Sequence, residues 1–219
     1  RGEKHAGVVL VVTIRADGCI GRGEAVPYAR YGETMASALE AIAALPTPLD
    51  RAVLADCLPA GAARNAVDCA LWDLEARRSG KRVWQLAGLP EPRQRPCAWT
   101  LSLDTPGRME AAARAAAWRP LLKVKLGAGD DLARLEAVRR GAPDNRLIVD
   151  ANEGWTEAGY LRLLPHLQRL GVSLVEQPLP AGDDAALAEL PRPIPVCADE
   201  SCHDRKSLPA IRGRYDLIN

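Results

Sequence analysis

The second half of the chain alternates short apolar runs with longer segments in which apolar residues recur at helical spacing. The apolar runs lie at 97–103, 121–126, 147–150, 174–177 and 195–199, and a sixth begins at 215. This alternation is typical of parallel strands that are each followed by a helix. We therefore predict a modified (β/α) TIM-type barrel. Because a complete barrel needs about 200 residues or more, we expect these residues to form six of its strands. We favour a fragment over an open sheet or a barrel completed by strands from elsewhere.

The first third of the chain has a different pattern. Two candidate strands, 8–14 and 19–24, flank Asp17-Gly18, and this dipeptide is the strongest short signal for an antiparallel hairpin. Thr34 is a suitable N-cap for a helix that runs to about residue 44, and a second helix is predicted over 62–79. Prolines and a glycine interrupt the pattern between these two helices. We therefore predict an α+β domain.

Pro90-Glu91-Pro92 marks the change between the two patterns and is a plausible domain boundary. We place the α+β domain at residues 1–92, with its first strand missing, and the partial barrel at residues 93–219.

Composition excludes several classes of function. The 219 residues carry a formal net charge of +1, which gives no reason to expect a nucleic acid as partner. No apolar run approaches the roughly 18 residues of a membrane span, and the first residues lack the apolar segment of a signal peptide. The six cysteines show no Cys-x-x-Cys spacing, so neither a disulfide framework nor a zinc cluster is indicated. We expect a cytoplasmic protein that acts on a small molecule.

Three of the apolar runs end in an acid. Asp150, Glu176 and Asp199 follow one another at intervals of about one strand plus one helix, and Lys125 precedes Asp150 by a similar interval. Parallel strands in register bring their carboxyl ends to one mouth. Each acid taken alone is better explained as a helix cap. Together they provide the hard oxygen ligands that Mg²⁺ prefers.

Lys123 and Lys125 are two residues apart, so a strand would direct both ammonium groups to the same face. Two adjacent cations disfavour each other's charge, and we expect one of the two lysines to have a lowered pKa and to serve as a base. The alternative is that Lys-Val-Lys forms the solvent face of a strand. A divalent cation opposite an amine base indicates proton abstraction next to a carboxylate, with the ene-diolate stabilised by the metal.

Four motifs carry a resemblance to a known family. Lys123-Val124-Lys125, Val149-Asp150-Ala151-Asn152, Val175-Glu176-Gln177-Pro178 and Ala198-Asp199-Glu200-Ser201 resemble the barrel signatures of the enolase superfamily, in its muconate-lactonising subgroup. The segments 150–155 and 215–219 are similar to those of dipeptide epimerases of the L-Ala-D/L-Glu type. The first third resembles the capping domain of the same family.

The resemblance implies a role for each matching residue. Asp150, Glu176 and Asp199 would bind Mg²⁺, Lys125 would be the catalytic acid and base, and Lys123 would depress its pKa. Five residues would face the substrate, a dipeptide: Thr100, Arg1, Asn152, Arg30 and Tyr31.

The family's second catalytic lysine and the acidic pair that binds the dipeptide's amino group fall beyond residue 219. We therefore expect an isomerase whose 219-residue piece is inactive by itself. The motifs are shared with muconate or chloromuconate cycloisomerases and o-succinylbenzoate synthases, which stay open as alternatives, as does a non-catalytic relative that keeps the metal site. The substrate side chains and any homo-oligomer are left open.

Overall fold

A computed structural model describes residues 6–127 and 129–219. The chain divides into two compact units, Arg1–Gln94 and Arg95–Asn219. The described residues of the first unit, 6–94, form two strands and four α-helices, in the order β1 Leu10–Ala16, β2 Cys19–Ala25, α1 Met35–Ala43, α2 Arg51–Cys57, α3 Ala62–Ser79 and α4 Val83–Leu86.

The hairpin of the first unit is confirmed. Strands β1 and β2 pair antiparallel, with Ala16 opposite Cys19. The two turn residues both have positive φ, 49° at Asp17 and 74° at Gly18. Such a turn has the twist that the flanking strands need. The first strand begins at Leu10, two residues later than the pattern predicted.

The two predicted helices of this unit are also present. Thr34 accepts a hydrogen bond from the Ser37 amide and caps α1. Helix α3 ends at Gly80, whose φ of 67° places it in the left-handed region that glycine adopts at low cost. Helix α2 was not predicted, because the prolines around this short segment indicated a loop. Its N-cap is Asp50, whose side chain accepts a hydrogen bond from the Val53 amide.

The second unit is a parallel α/β sheet. Its elements are β3 Trp99–Leu101, α5 Pro106–Ala115, β4 Leu121–Lys125, α6 Asp131–Gly141, β5 Arg146–Asp150, α7 Glu157–Arg169, β6 Val172–Glu176, β7 Val196–Ala198, α8 Leu208–Ile211 and β8 Leu217–Ile218. The six strands lie side by side in chain order, and each pairs parallel with the next. The predicted strand–helix alternation is therefore confirmed except between β6 and β7, where a 3-10 turn, Ala185–Ala188, replaces the α-helix.

Register places the strand ends level with one another. Lys125 pairs with Asp150, Asp150 pairs with Glu176, and Glu176 pairs with Cys197. Leu122, Val124 and other apolar residues of the strands fill a single core with the apolar faces of α5, α6 and α7. The carboxyl ends of the strands thus present their polar residues at one edge of the sheet.

Several predicted boundaries were too generous. The strand expected at 97–103 is limited to Trp99–Leu101, and that expected at 195–199 to Val196–Ala198. Helix α8 lies in a segment for which no helix was predicted. Among the helices of the described residues, none is long and apolar enough to cross a membrane.

Candidate active site

Three carboxylates meet at the carboxyl ends of β5, β6 and β7. Ligand oxygens of Asp150, Glu176 and Asp199 all lie within 4.8 Å of one another. Asp150 is fully buried and Glu176 is 4 % exposed. Each acid stands at the last residue of its strand or directly after it, so the parallel register is what brings them together.

Both lysines of β4 point into this cluster. Lys123 Nζ lies 2.9 Å from Asp150 Oδ2 and 2.6 Å from Glu176 Oε2, so its ammonium group bridges two of the acids. Lys125 Nζ lies 2.6 Å from the same Asp150 oxygen. It also donates to Asn152 Oδ1 at 2.9 Å. The two-residue spacing on a strand therefore does direct both side chains to one face, as predicted.

Lys123 is not the lysine with the lowered pKa that the sequence predicts for one of the pair. Burial by itself would lower the pKa of Lys123, but hydrogen bonds to Glu176 and Asp150 outweigh burial and raise it. The pKa of Asp150 is lowered, because its hydrogen bonds to the two lysines outweigh the effect of burial. The neighbouring carboxylates, rather than the neighbouring ammonium group, dominate the environment of Lys123.

Asp199 is in a different position from the other two acids. Within residues 6–127 and 129–219, no donor makes a hydrogen bond to its carboxylate oxygens; its backbone amide donates to Gln177 Oε1 at 2.9 Å. Burial and the nearby charges of Glu200, Glu176 and Asp150 raise the pKa of Asp199. Burial and the charges of Glu176, Asp199 and Asp150 raise the pKa of Cys197 to about 11. The charge of Asp199 is therefore poorly compensated.

A divalent cation fits this donor set. Carboxylate oxygens that converge from three strands are the ligands that Mg²⁺ takes, with further positions left for water or substrate oxygens. A second observation agrees: Glu200 Oε2 is buried without a hydrogen-bond partner in the described part of the chain. Excess negative charge at one point is what a bound cation would neutralise.

Two residues beside the acids were not singled out by the sequence pattern. Asn219 donates from Nδ2 to Glu176 Oε1 at 3.0 Å. Gln177, fully buried, follows Glu176 and accepts from the amides of Asp199 and Ser201. Its φ of 35° is in the left-handed region, a conformation that a non-glycine residue keeps only when its surroundings hold it. Their place inside the family motifs was the available signal.

The remaining predicted substrate residues are spread over the chain. Asn152 lies beside Lys125 and also donates from Nδ2 to Glu200 Oε1 at 3.2 Å. Thr100 is exposed and pairs with Lys123 in the sheet. Arg30 and Tyr31 lie on an exposed 3-10 turn of the first unit, Ala29–Tyr31. Arg1 lies outside the described residues. For all of these residues, contact with a substrate stays a prediction.

Comparison with known proteins agrees with the motifs. Residues 1–88 match the family model of the mandelate racemase / muconate lactonizing enzyme N-terminal domain. Residues 108–212 match that of the enolase C-terminal domain-like family. The chain belongs to the enolase superfamily.

Curated relatives of this superfamily member include the L-Ala-D/L-Glu epimerase of Escherichia coli (strain K12). The two are 45 % identical over all of this chain and 70 % of the relative. The N-acetyl-D-glutamate racemase of a Pseudoalteromonas species is 43 % identical over 96 % of this chain and 69 % of its own length. The chain thus spans about 70 % of the length of these two relatives.

Solved structures of the superfamily share the fold. An Agrobacterium tumefaciens enolase family member with homology to dipeptide epimerases, with bound sodium and L-Ala-L-Glu, superposes with a TM-score of 0.89 at 48 % identity. The match covers 96 % of this chain and 66 % of that one. A dipeptide epimerase from Cytophaga hutchinsonii, complexed with Mg and D-Ala-L-Val, has a TM-score of 0.86 at 26 % identity, over 96 % of this chain and 63 % of that chain.

Proposed function

We propose that this protein is a Mg²⁺-dependent epimerase of dipeptides of the L-Ala-D/L-Glu type. The observation that carries the proposal is the position of the Lys125 amine, 2.6 Å from Asp150 within a cluster of three carboxylates. Identity of 45 % over the whole chain to a curated L-Ala-D/L-Glu epimerase supports the substrate class. The dipeptide and cation bound by its structural relatives support the same assignment.

In this proposal Lys125 removes the proton from the α-carbon of the glutamyl residue. Its Nζ is held by Asp150 and Asn152 at the open edge of the sheet, and its side chain remains 23 % exposed. A base that is partly exposed can reach a substrate while two hydrogen bonds fix its direction. Inversion also needs a proton donor on the opposite face of the α-carbon.

Asp150, Glu176 and Asp199 would hold Mg²⁺, which when bound would stabilise the negative charge that develops on the substrate carboxylate. Lys123 keeps Asp150 and Glu176 together by bridging them. Asn219 fixes the second oxygen of Glu176. These contacts leave Asp199 as the acid whose oxygens have no protein donor among the described residues, which suits it to face a cation.

A second candidate substrate is an N-acylated glutamate. It is favoured by the 43 % identity to an N-acetyl-D-glutamate racemase over 96 % of this chain. Both substrates contain a glutamate whose amino group is acylated, and both reactions invert the carbon next to the α-carboxylate. The base and the three acids would serve either substrate, so the difference lies in groups that recognise the acyl part.

Exchange of the α-proton tests the role of Lys125 without requiring inversion. The protein is incubated in D₂O with Mg²⁺ and, separately, L-Ala-L-Glu, L-Ala-D-Glu and N-acetylglutamate, and loss of the glutamyl α-proton signal is followed by NMR. We expect exchange that depends on Mg²⁺. It should fall by about 10²-fold or more in Lys125→Ala, the contribution typical of a general base.

Lys81→Ala, which removes an exposed lysine of the first unit, is the matched control and should exchange like the unsubstituted protein. Exchange that survives Lys125→Ala undiminished would show that Lys125 is not the base. A lack of exchange with every substrate at saturating Mg²⁺ would overturn the proposed reaction. Whichever substrate exchanges its α-proton faster, the dipeptide or N-acetylglutamate, identifies the preferred acyl group.

A further inference from the structure

A further buried carboxylate lies in the segment that follows β6 and Glu176. Asp184 is 1 % exposed and belongs to a hydrogen-bonded cluster that joins the segments after β6 and β7 to the start of β8. We call this cluster the Asp184 network; its members are Gln177, Asp184, Ser201, Arg214 and Tyr215.

Asp184 has protein donors on both of its oxygens. Ser201 Oγ and Tyr215 Oη each lie 2.6 Å from Oδ2. Arg214 Nη1 donates to Oδ1 at 2.8 Å. Although burial would raise the pKa of Asp184, the hydrogen bonds from Ser201, Tyr215 and Arg214 outweigh it and lower the pKa. Asp184 is therefore an ionised acceptor, and both hydroxyl protons point towards it.

The hydroxyl groups contribute to the orientation of Gln177. Because the protons of Ser201 and Tyr215 are directed at Asp184, their oxygens are left to accept from Gln177 Nε2, at 2.7 Å and 2.9 Å. They share the two hydrogens of Nε2 with the carbonyl oxygen of Leu179, which lies 2.9 Å away and favours the same orientation. The side-chain nitrogen of Gln177 therefore faces the two hydroxyl groups, and its oxygen faces the opposite side. There the oxygen can accept hydrogen bonds that a nitrogen could not.

The oxygen of Gln177 holds the backbone that carries Asp199. Gln177 Oε1 accepts from the amide of Asp199 at 2.9 Å and from that of Ser201 at 3.1 Å. Gln177 directly follows Glu176, and the backbone amide of Gln177 donates to the carbonyl oxygen of Cys197 at 2.9 Å. The network therefore links the backbone of one candidate ligand, Glu176, to that of another, Asp199.

We propose that Asp184 is a positioning residue for the cation site: by orienting Ser201, Tyr215 and Gln177, it holds Asp199 at the place where its oxygens meet those of Asp150 and Glu176. This inference rests on the proposed function, since it assumes that the three acids bind a divalent cation. Asp184 itself touches none of them. Residues that orient metal ligands without binding the metal typically change metal affinity 10–100-fold.

The test is the affinity of the full chain for Mn²⁺, a paramagnetic substitute for Mg²⁺ whose free concentration is measured by electron paramagnetic resonance. Asp184→Asn can no longer accept from every donor around it, and we expect Mn²⁺ to bind about 10-fold more weakly or worse. Asp199→Asn, which removes a candidate ligand, marks the affinity expected when the site itself is damaged.

Asp216→Asn is the matched control. Asp216 Oδ2 also accepts a hydrogen bond from a backbone amide of β7, that of Val196, at 2.9 Å. Val196 is at the amino end of the strand, away from the acids. Its Mn²⁺ affinity should stay within about twofold of the unsubstituted protein, because the cation-side end of β7 is unaffected. Near-ultraviolet circular dichroism and thermal unfolding establish that each variant is folded at the temperature of the titration.

Tyr215→Phe and Ser201→Ala are gentler variants in case Asp184→Asn does not fold. Each removes one hydroxyl group of the network, and each should weaken Mn²⁺ binding, with an effect that is not additive in the double variant because both act through Gln177. Unchanged affinity in a folded Asp184→Asn, or in both gentler variants, would overturn the positioning role.

If the unsubstituted protein binds no Mn²⁺, the proposed function fails and this inference fails with it. Normal binding that only Asp199→Asn abolishes refutes the inference alone.

Discussion

Asp184 and Asp199 are two acids of the same unit, Asp184 in the segment after β6 and Asp199 directly after β7, yet their environments are opposite. Asp184 receives three donors and its pKa is lowered. Asp199 receives no donor from the described residues on its oxygens, is surrounded by other acids, and its pKa is raised.

The difference separates two uses of a carboxylate. A carboxylate whose lone pairs are all taken by protein donors has little left to offer a ligand, and it holds the structure around it. A carboxylate that faces other carboxylates is unfavourable until a cation arrives. Among the three clustered acids, Asp199 therefore keeps the most lone pairs for a cation, whereas Asp150 and Glu176 share theirs with Lys123.

The largest expected effect concerns the ammonium group of Lys123, which pairs with two of the acids. Lys123 is 17 % exposed and bridges Asp150 and Glu176, so Lys123→Met leaves the buried Glu176 without its ion-pair partner and Asp150 with Lys125 alone. We expect the free energy of unfolding without added metal to fall by about 3 kcal/mol, as in other buried ion pairs that lose one member. Urea denaturation measures this loss.

Added Mg²⁺ should restore part of that loss, because a bound cation replaces the missing positive charge and stabilises the folded state. Lys206→Met, at an exposed lysine outside the site, is the control and should change little. If Lys123→Met is as stable as the unsubstituted protein, or if Mg²⁺ stabilises both equally, the charge balance we describe for the acids is wrong.

The second effect concerns Asp184, the acid whose oxygens are hydrogen-bonded to protein donors. Asp184→Asn disrupts three hydrogen bonds to a buried carboxylate, and we expect a loss of about 2 kcal/mol in the free energy of unfolding at pH 7. The partner Arg214 is 30 % exposed, which limits the loss because water can solvate its charge.

This loss should depend on pH in a defined direction. The folded-state pKa of Asp184 lies below the ordinary value of 3.8, so its ionised form stabilises the protein fully above pH 3.8, and this contribution is lost as pH falls through the lower folded value. The difference between Asp184→Asn and the unsubstituted protein should therefore be constant between pH 5 and pH 8, by urea denaturation, and shrink only in strong acid. A difference that grows as pH falls would contradict the assigned charge state.

The smallest effect concerns the unsatisfied acid. Asp199→Asn removes a negative charge that Glu200, Glu176 and Asp150 repel. Without added metal we expect the variant to be more stable by up to about 1 kcal/mol, the scale of a partly exposed charge interaction. Thermal unfolding in the presence of a chelator measures the gain. Destabilisation by Asp199→Asn under these conditions would mean that Asp199 has a structural role like that of Asp184.

Local signals in the sequence were sufficient for much of the fold. Asp17-Gly18 predicted the hairpin and Gly80 the end of α3, because each of these positions needs a backbone conformation that few residues adopt easily. The alternation of apolar runs predicted the parallel strands. The prediction was least accurate where prolines surround a short helix, as at α2.

The sequence by itself determined which groups come together at the strand ends, since parallel strands of similar length must end at one edge and the acids stand at those ends. Only the tertiary structure decided how their charges are balanced. The pairing of Lys123 with Glu176 and the contacts of Asp184 with Tyr215 and Arg214 join segments far apart in the chain. The pKa of a buried group depends on such distances and on burial, which no local pattern specifies.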